Sequence, residues 1–397
     1  MTGPDPSPPL PEDERVVIHR LPEEQRSLLE LVEGFTREEV APQADRWERE
    51  HTFPRPLFDQ LARMDLTGLP FGEDVGGSAL PFATYLMVVE ELSRGLLALG
   101  LGLSVHTLST WGIDTHATPE QRDRFVPDLV AGRALGAYSL SEPGSGSDAA
   151  GMTTIAKRDG EVYRLDGVKA WVTHGGVADR YLVMARTGDA GARGISAFVV
   201  DADQPGLTVA PPEQKMGMWA SPTAQLVFEN APVPADRLVG DQEGTGFRIA
   251  MASLDGGRLG IAACATGLAQ AALDAALAYA REREQFGQPI ASFQGVSFLL
   301  ADMATRTEAS RTLYQSAADR RDHGYDTTKV AAMAKLFATD ATMQTTTDAV
   351  QVFGGYGYTT DFPVERYMRE AKVLQIVEGT NQIQRMVIGR QLTGARA

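Results

Sequence analysis

One cysteine, Cys264, stands in a chain of 397 residues. An intrachain disulfide framework and a multi-cysteine metal site are therefore excluded, and a reducing, intracellular setting is expected. Long hydrophobic runs are missing as well: no uninterrupted apolar stretch reaches the roughly 18 residues that a membrane-spanning helix needs. The first residues, MTGPDPSPPLPEDER, are proline-rich and acidic, not basic and then apolar. Neither export nor membrane insertion is indicated, and the chain reads as cytoplasmic. Basic charge is also scarce. With 37 Lys plus Arg against 52 Asp plus Glu, the formal charge is -15, which disfavours a general nucleic-acid-binding role and requires anionic ligands to be met locally. What is present is ordinary globular composition, 43% apolar and 22% charged, with length for two or three domains and a sizeable core.

Residues 1–20 read as a loose proline-rich arm. From 21 to 134 the chain is mainly helical, because apolar residues recur at three- and four-residue spacing over Glu23 to Glu48, Pro54 to Met64, Pro81 to Leu96 and Pro119 to Ala131. From 135 to 242 the pattern changes to short β-branched or aromatic runs between Gly, Asp and Pro turns, which predicts a small antiparallel β domain and argues against a doubly wound parallel sheet. From 243 to 397 long helical patterns return, over Phe247 to Arg283, Ser292 to Asp322 and Thr327 to Phe353, with shorter ones from Pro363 and Asn381. Within Ser292 to Asp322, Val296, Leu299, Leu300 and Met303 mark one apolar stripe and leave Asp302, Arg306 and Arg321 to solvent. Long helices joined by short loops imply a bundle. The fold class is α+β.

Four stretches carry chemistry. YSLSEPGSGSDAAG, Tyr138 to Gly151, offers backbone amides and hydroxyls in a tight loop that can follow a flat heterocycle or a phosphate; a plain interdomain turn explains it equally well. It lacks the lysine and the strand-to-helix setting of a phosphate-binding loop. In KAWVTHGG, Lys169 to Gly176, Trp171 is by default a core aromatic and His174 a turn residue, though Trp171 and Thr173 also suit the flank and edge of a planar ring. In REREQFGQPI, Arg281 to Ile290, Phe286 packs a helical corner and Gly287 closes the helix, or Arg283 grips a pyrophosphate. IVEGTNQIQR, Ile376 to Arg385, holds one carboxylate, Glu378, among small and neutral residues. Taken alone it is an acidic turn with Gly379 for backbone freedom and Thr380 or Asn381 as helix cap.

Together with QVFGGYGY, these motifs occur in the order and approximate spacing of the acyl-CoA dehydrogenase family, which the chain resembles over about residues 22 to 395. That resemblance implies an N-terminal helical domain, a central antiparallel β domain and a C-terminal four-helix bundle. It implies a homotetrameric flavoprotein of fatty acid metabolism with FAD in each subunit.

By motif, Tyr138, Leu140, Ser141, Gly146 and Ser147, with Trp171, Val172 and Thr173, are implied to hold the flavin ring, Ser147 also facing substrate. Arg283, Gln285, Phe286, Gln294, Gln351, Gly354 and Gly355 match positions that bind the FAD diphosphate and adenosine across a subunit interface. Thr380 and Gln382 match further FAD contacts. Glu378 matches the base that removes the α-proton of a thioester while hydride leaves the β-carbon for flavin N5, its own N–H helping to hold the enolate oxygen. Some members carry that base at the position of Gly257, where no carboxylate exists here; this favours a resemblance to the short-chain and short-branched-chain group. Ser221, Asp255, Arg258, Gly379 and Arg390 are implied substrate contacts, although Asp255 and Arg258 alone would read as a surface ion pair. An electron-transferring flavoprotein is the implied acceptor. An acyl-CoA oxidase or flavin monooxygenase on the same fold, and a non-catalytic flavin-binding scaffold, are the competing readings.

Overall fold

The computed structural model describes residues 21–394, so the arm expected over 1–20 lies outside the described residues. The first part is α1 (Glu23–Phe35), α2 (Ala44–Arg49), α3 (Arg55–Arg63), α4 (Phe82–Gly95), α5 (Leu97–His116) and α6 (Pro119–Val130). α6 begins with a capping box. Thr118 accepts from the Gln121 N–H at 3.3 Å, and the Gln121 side chain accepts from the Thr118 N–H at 3.0 Å. α5 is a helix that the periodicity passes over. Its segment LALGLGLSVHTLST is apolar or small on every side and almost wholly buried, so no polar face marks the helical repeat.

β1 (Gly136–Ser139), β2 (Ile155–Asp159), β3 (Val162–Thr173), β4 (Arg180–Arg186), β5 (Ile195–Asp201), β6 (Leu207–Val209) and β7 (Thr223–Pro234) form one sheet. Its order is β1-β4-β2-β3-β7-β6, with β5 paired to β4. Most pairs are antiparallel, as expected, but β1 runs parallel to β4, reached only after the β2–β3 hairpin supplies the long crossover. β3 shifts register between Lys169 and Val172. At that bulge Trp171 takes φ +61° and turns outward.

The last part is α7 (Gly246–Glu282), a small hairpin of β8 (Glu284–Gln285) and β9 (Gln288–Pro289), α8 (Gln294–Asp322), α9 (Thr328–Phe353), α10 (Val364–Leu374) and α11 (Asn381–Thr393). By length and composition α7 is apolar enough to cross a membrane, yet 72% of its most apolar window is buried inside the protein. It is the axis of the core, with α4, α5, α8 and α9 packed around it. Cys264 is buried within it.

On α8, Leu300 and Met303 are buried as the stripe predicts. Two of its cations are not left to solvent as expected. Arg306 pairs with Asp348 at 2.8 Å. The Arg321 guanidinium lies 4.3 Å from the Phe82 ring centroid and 5.1 Å from that of Trp111. The first turn of α4 draws it there, because both carboxylate oxygens of Asp322 accept its N–H groups, Phe82 N at 2.7 Å and Ala83 N at 3.0 Å.

Small residues let α7 lie directly on α4. A Cβ added at Gly267 would sit 2.1 Å from the Glu90 carbonyl oxygen and 3.0 Å from the Arg94 nitrogen, a clash with backbone that no rotamer relieves. Gly267→Ala is expected to destabilise the protein by about 1–3 kcal/mol, read as a lower midpoint in chemical denaturation with an unchanged slope.

Candidate functional site

Glu378 lies between α10 and α11, in the left-handed region at φ +53°, followed by Gly379 at +91°. A non-glycine residue there costs about 1 kcal/mol or more and persists only when its surroundings hold it. Three bonds do so. Lys335, wholly buried on α9, donates to the Gly379 carbonyl at 3.0 Å and to Asn381 Oδ1 at 2.8 Å. Gln384 Nε2 donates to the Glu378 and Gly379 carbonyls at 3.2 and 2.9 Å. Thr380 caps α11 by accepting from the Ile383 N–H. Asn381, the other candidate cap, turns inward to Thr339 and Asp340 instead.

The carboxylate of Glu378 has both oxygens buried and no hydrogen-bond partner. Burial raises its pKa to about 7, and the charges of Lys335 and Arg258 keep it from rising further. A carboxylate at that value is half ionised near neutral pH and basic enough to take a proton from carbon. Its N–H donates to no group among the described residues.

Gly257 on α7 makes room for this group. A Cβ there would be 2.1 Å from Glu378 Oε2 and 3.1 Å from Leu108 Cδ1. The carboxylate therefore rests on the bare backbone of α7. Beside it a pocket opens between α4, α5 and α7, lined by Tyr85, Ser104, Thr107, Leu108, Trp111 and Ser253, together with Phe82, Gly256, Gly257 and Arg321. Arg258 is buried, not on the surface. It donates to Asp255 on its own helix, and Asp255 also accepts from Thr328 Oγ1 at 3.0 Å on α9.

A second group gathers at β1 and β3. Ala170 N–H donates to the Ser141 carbonyl at 2.9 Å, which joins the serine-glycine loop to the strand carrying Trp171, Val172 and Thr173. A buried ion pair fastens the same junction: Lys169 Nζ donates to Glu142 Oε1 at 2.9 Å and to the Leu140 carbonyl at 3.0 Å. Glu142 also accepts from Thr153 and from the Thr154 N–H. Burial alone would raise the Glu142 pKa, but Lys169 and these donors bring it down to about 2. Tyr138 links this group to the first, close enough to Glu378 for the two to interact electrostatically, with its hydroxyl 3.3 Å from the Ala250 carbonyl of α7.

Trp171 is 61% exposed, which overturns the reading of it as a core aromatic. His174 is more than a turn residue. It is buried, with Nδ1 3.0 Å from the Gly136 carbonyl and its ring against Phe53. Gly146 and Ser147 stand exposed on the loop, and Leu140 and Val172 are buried behind it.

The third group lies at one end of the bundle. Arg283, Gln285, Phe286, Gln294, Gln351, Gly354 and Gly355 are all exposed, and Arg283 lies 5.9 Å from the Tyr356 ring centroid. Phe286 packs no corner: it is 94% exposed at the tip of the β8–β9 hairpin. No hydrogen bond, ring contact or ion pair connects this end with Trp171 or Ser141 among the described residues. Gln382 and Arg390 are exposed on α11, while Ser221 is buried in a loop whose neighbours Trp219 and Ala220 donate their N–H groups to Glu48. Lys335, Gln384 and the pocket residues are functional features that motif reading missed. Lys335 did leave a signal, a lone lysine among Ala331, Ala332, Ala334 and Ala338 on a buried helical face.

Three family models match in chain order: the acyl-CoA dehydrogenase N-terminal domain over residues 22–133, the middle domain over 137–231 and the C-terminal domain over 244–393. An acyl-CoA dehydrogenase of Bacillus subtilis is 47% identical over 374 residues, covering 94% of this chain and 98% of its own. Among solved structures, a chain from work on the electron transferring flavoprotein of Acidaminococcus fermentans and flavin-based electron bifurcation matches with TM-score 0.93 and 43% identity, covering 94% of this chain and 99% of its own. Butyryl-CoA dehydrogenase from Megasphaera elsdenii matches with TM-score 0.91 and 42% identity, covering 94% and 98%. The fold and site thus define an FAD-dependent oxidoreductase, and the chain belongs to the acyl-CoA dehydrogenase family.

FAD fits the residues present. A flat ring with a polar rim needs an apolar flank and free donors. Trp171 supplies an exposed flank, and the hydroxyls of Ser141 and Thr173 are half-buried with no hydrogen bond among the described residues.

Gly257→Ala is expected to displace the Glu378 carboxylate and slow flavin bleaching by acyl-CoA about 100-fold. The visible flavin spectrum should persist, since the nearest atoms to a methyl at Gly257 belong to Glu378 and Leu108, not to Trp171 or Ser141.

Proposed function

We propose that this protein oxidises an acyl-CoA thioester to the trans-2-enoyl thioester, with Glu378 as the base that removes the α-proton. The observation that carries this is a carboxylate with both oxygens buried and unpartnered, poised near pKa 7 against Gly257, which lines a pocket. Bound FAD supplies the acceptor for the β-hydride. The chain's own residues do the rest. The free Glu378 N–H is suited to donate a hydrogen bond to the thioester carbonyl oxygen, so that negative charge developing there is held as the proton leaves. Lys335 and Gln384 keep the turn fixed while the carboxylate gains and loses its proton.

The Tyr138–Ser147 loop and the Trp171–Thr173 strand are assigned to the flavin ring, and Asp255 and Arg258, with Gly379, to the approach of the thioester. Thr380 and Gln382 are assigned to FAD beside the base, and Ser221 and Arg390 are retained as CoA candidates. The exposed Arg283, Gln285 and Phe286, with Gln294 and Gln351 to Gly355, are assigned to the FAD of a second copy, which explains why an almost bare phenylalanine is presented at a hairpin tip. A homotetramer of paired sites follows, with an electron-transferring flavoprotein as acceptor and a short or short-branched acyl group as substrate. The solved relatives described above are what support these last two assignments.

Glu378→Gln keeps the shape of the side chain and removes the base. Anaerobic bleaching of the flavin by butyryl-CoA is expected to fall at least 1,000-fold, in the range seen when an essential acid–base group is lost, and bleaching at the wild-type rate would refute the assignment. In the wild type, reoxidation of reduced flavin by air is expected to be slow compared with turnover; fast peroxide formation would establish the oxidase reading instead.

A further inference from the structure

Arg321 is the unexplained group of the pocket. Half-buried, its guanidinium makes no hydrogen bond and no ion pair among the described residues, and partial desolvation lowers its pKa. The two carboxylates that act on it are engaged elsewhere: Asp322 caps α4, and Asp255 holds Arg258 and Thr328. Its guanidinium rests on Phe82 and Trp111, which orient the cation without neutralising it. Two hydroxyls of the same pocket are also unmet. Thr107 Oγ1 and Ser253 Oγ are buried with no partner. Tyr85 lies near Ser104 and Thr107, at no geometry that satisfies Thr107. An apolar acyl chain filling the pocket would close a half-buried cation and these hydroxyls off from water without compensation, which is costly in a closed site.

We propose that the pocket selects a short acyl thioester whose far end carries a carboxylate, with Arg321 as its counter-charge and Thr107 among the hydroxyls beside it. The inference rests on the reading of Glu378 as the base. Position favours an anion on the acyl tail over a phosphate of CoA. A Cβ on Gly256 would be 2.8 Å from Arg321 Nη1, and one on its neighbour Gly257 would be 2.1 Å from Glu378 Oε2. Adjacent Cβ positions on a helix are about 5 Å apart, so the cation and the base are separated by no more than about 10 Å. The pantetheine arm of CoA places some thirteen bonds between sulfur and the first phosphorus, roughly 16 Å when extended. A phosphate so far from a thioester seated at Glu378 overshoots Arg321. An acyl chain of about four to six carbons, with a carboxylate at its end, spans the gap at roughly 1.2 Å per bond. Oxidation is the same as for any other acyl group: the α-proton goes to Glu378, the β-hydride to FAD, and the tail carboxylate is unchanged.

The test uses the flavin-loaded enzyme with two thioesters of equal chain length, pentanoyl-CoA and the CoA half-thioester of glutaric acid. The expected result is a kcat/KM at least tenfold higher for the half-thioester. Arg321→Met should cut that ratio at least tenfold, Arg321→Lys should retain part of it, and the corresponding pantetheine thioesters, which lack CoA phosphates, should show the same change. Thr107→Val, nearly isosteric, should lower the ratio as well and serves if the arginine variants do not fold. A wild-type preference for pentanoyl-CoA overturns the proposal. So does an equal loss for both thioesters in Arg321→Met, which would place Arg321 on the pantetheine arm. If neither thioester bleaches the wild-type flavin, the dehydrogenase reading falls and this inference with it; if pentanoyl-CoA alone does so, only this inference falls.

Discussion

Taking an ionised carboxylate out of water without a partner is among the more costly things a fold can do, and the site around Glu378 is organised by that cost. Burial shifts the carboxyl from 4.5 to about 7, a change on the order of 3 kcal/mol between its two protonation states. The group is not neutralised by a salt bridge, because its nearest cations act from a distance: Lys335 is spent on Gly379 and Asn381, and Arg258 on Asp255. They limit the shift without abolishing it. A direct ion pair would return Glu378 to the ordinary carboxylate range, where it is a weak base.

The rest of the structure supports this arrangement from two sides. From below, α7 lacks a side chain at Gly257, and close packing of α7 on α4 and α5 keeps that helix where the carboxylate meets it. From the other side, the Lys169–Glu142 pair ties the serine-glycine loop to the bulged strand, so that Trp171 and Thr173 are presented at a fixed place next to Tyr138. A fully buried pair of this kind contributes little net stability when both partners are present, but losing one leaves a bare charge and costs about 3–5 kcal/mol. Rigidity is its use here.

Much of this was legible in the amino-acid order. The helical, β and helical thirds follow from periodicity, and Glu378 and Gly257 from motif. What was not legible has physical reasons. α5 is buried on every side and so has no amphipathic repeat to read. The parallel β1 is short and joins a strand that lies far along the chain. Arg321 looks like a solvent-facing cation from its place on α8, and only the cap made by Asp322 on α4 turns it over Phe82 and Trp111. Trp171 and Phe286, which pattern alone would bury, are left bare at a bulge and a hairpin tip. Contacts made across elements, not along them, decided each of these.

The most direct test of the account is the ionisation of Glu378 itself, followed by infrared difference titration of the carboxyl stretch in wild-type protein against Glu378→Gln. The folded protein should keep this proton between pH 4.5 and about 7, where the unfolded chain has released it. The group therefore favours the folded state at low pH and loses that contribution as pH rises through 7. A carboxyl band specific to the wild type that titrates near 7 is the predicted result. A midpoint near 4.5 would show a hydrated or paired carboxylate and contradict the account.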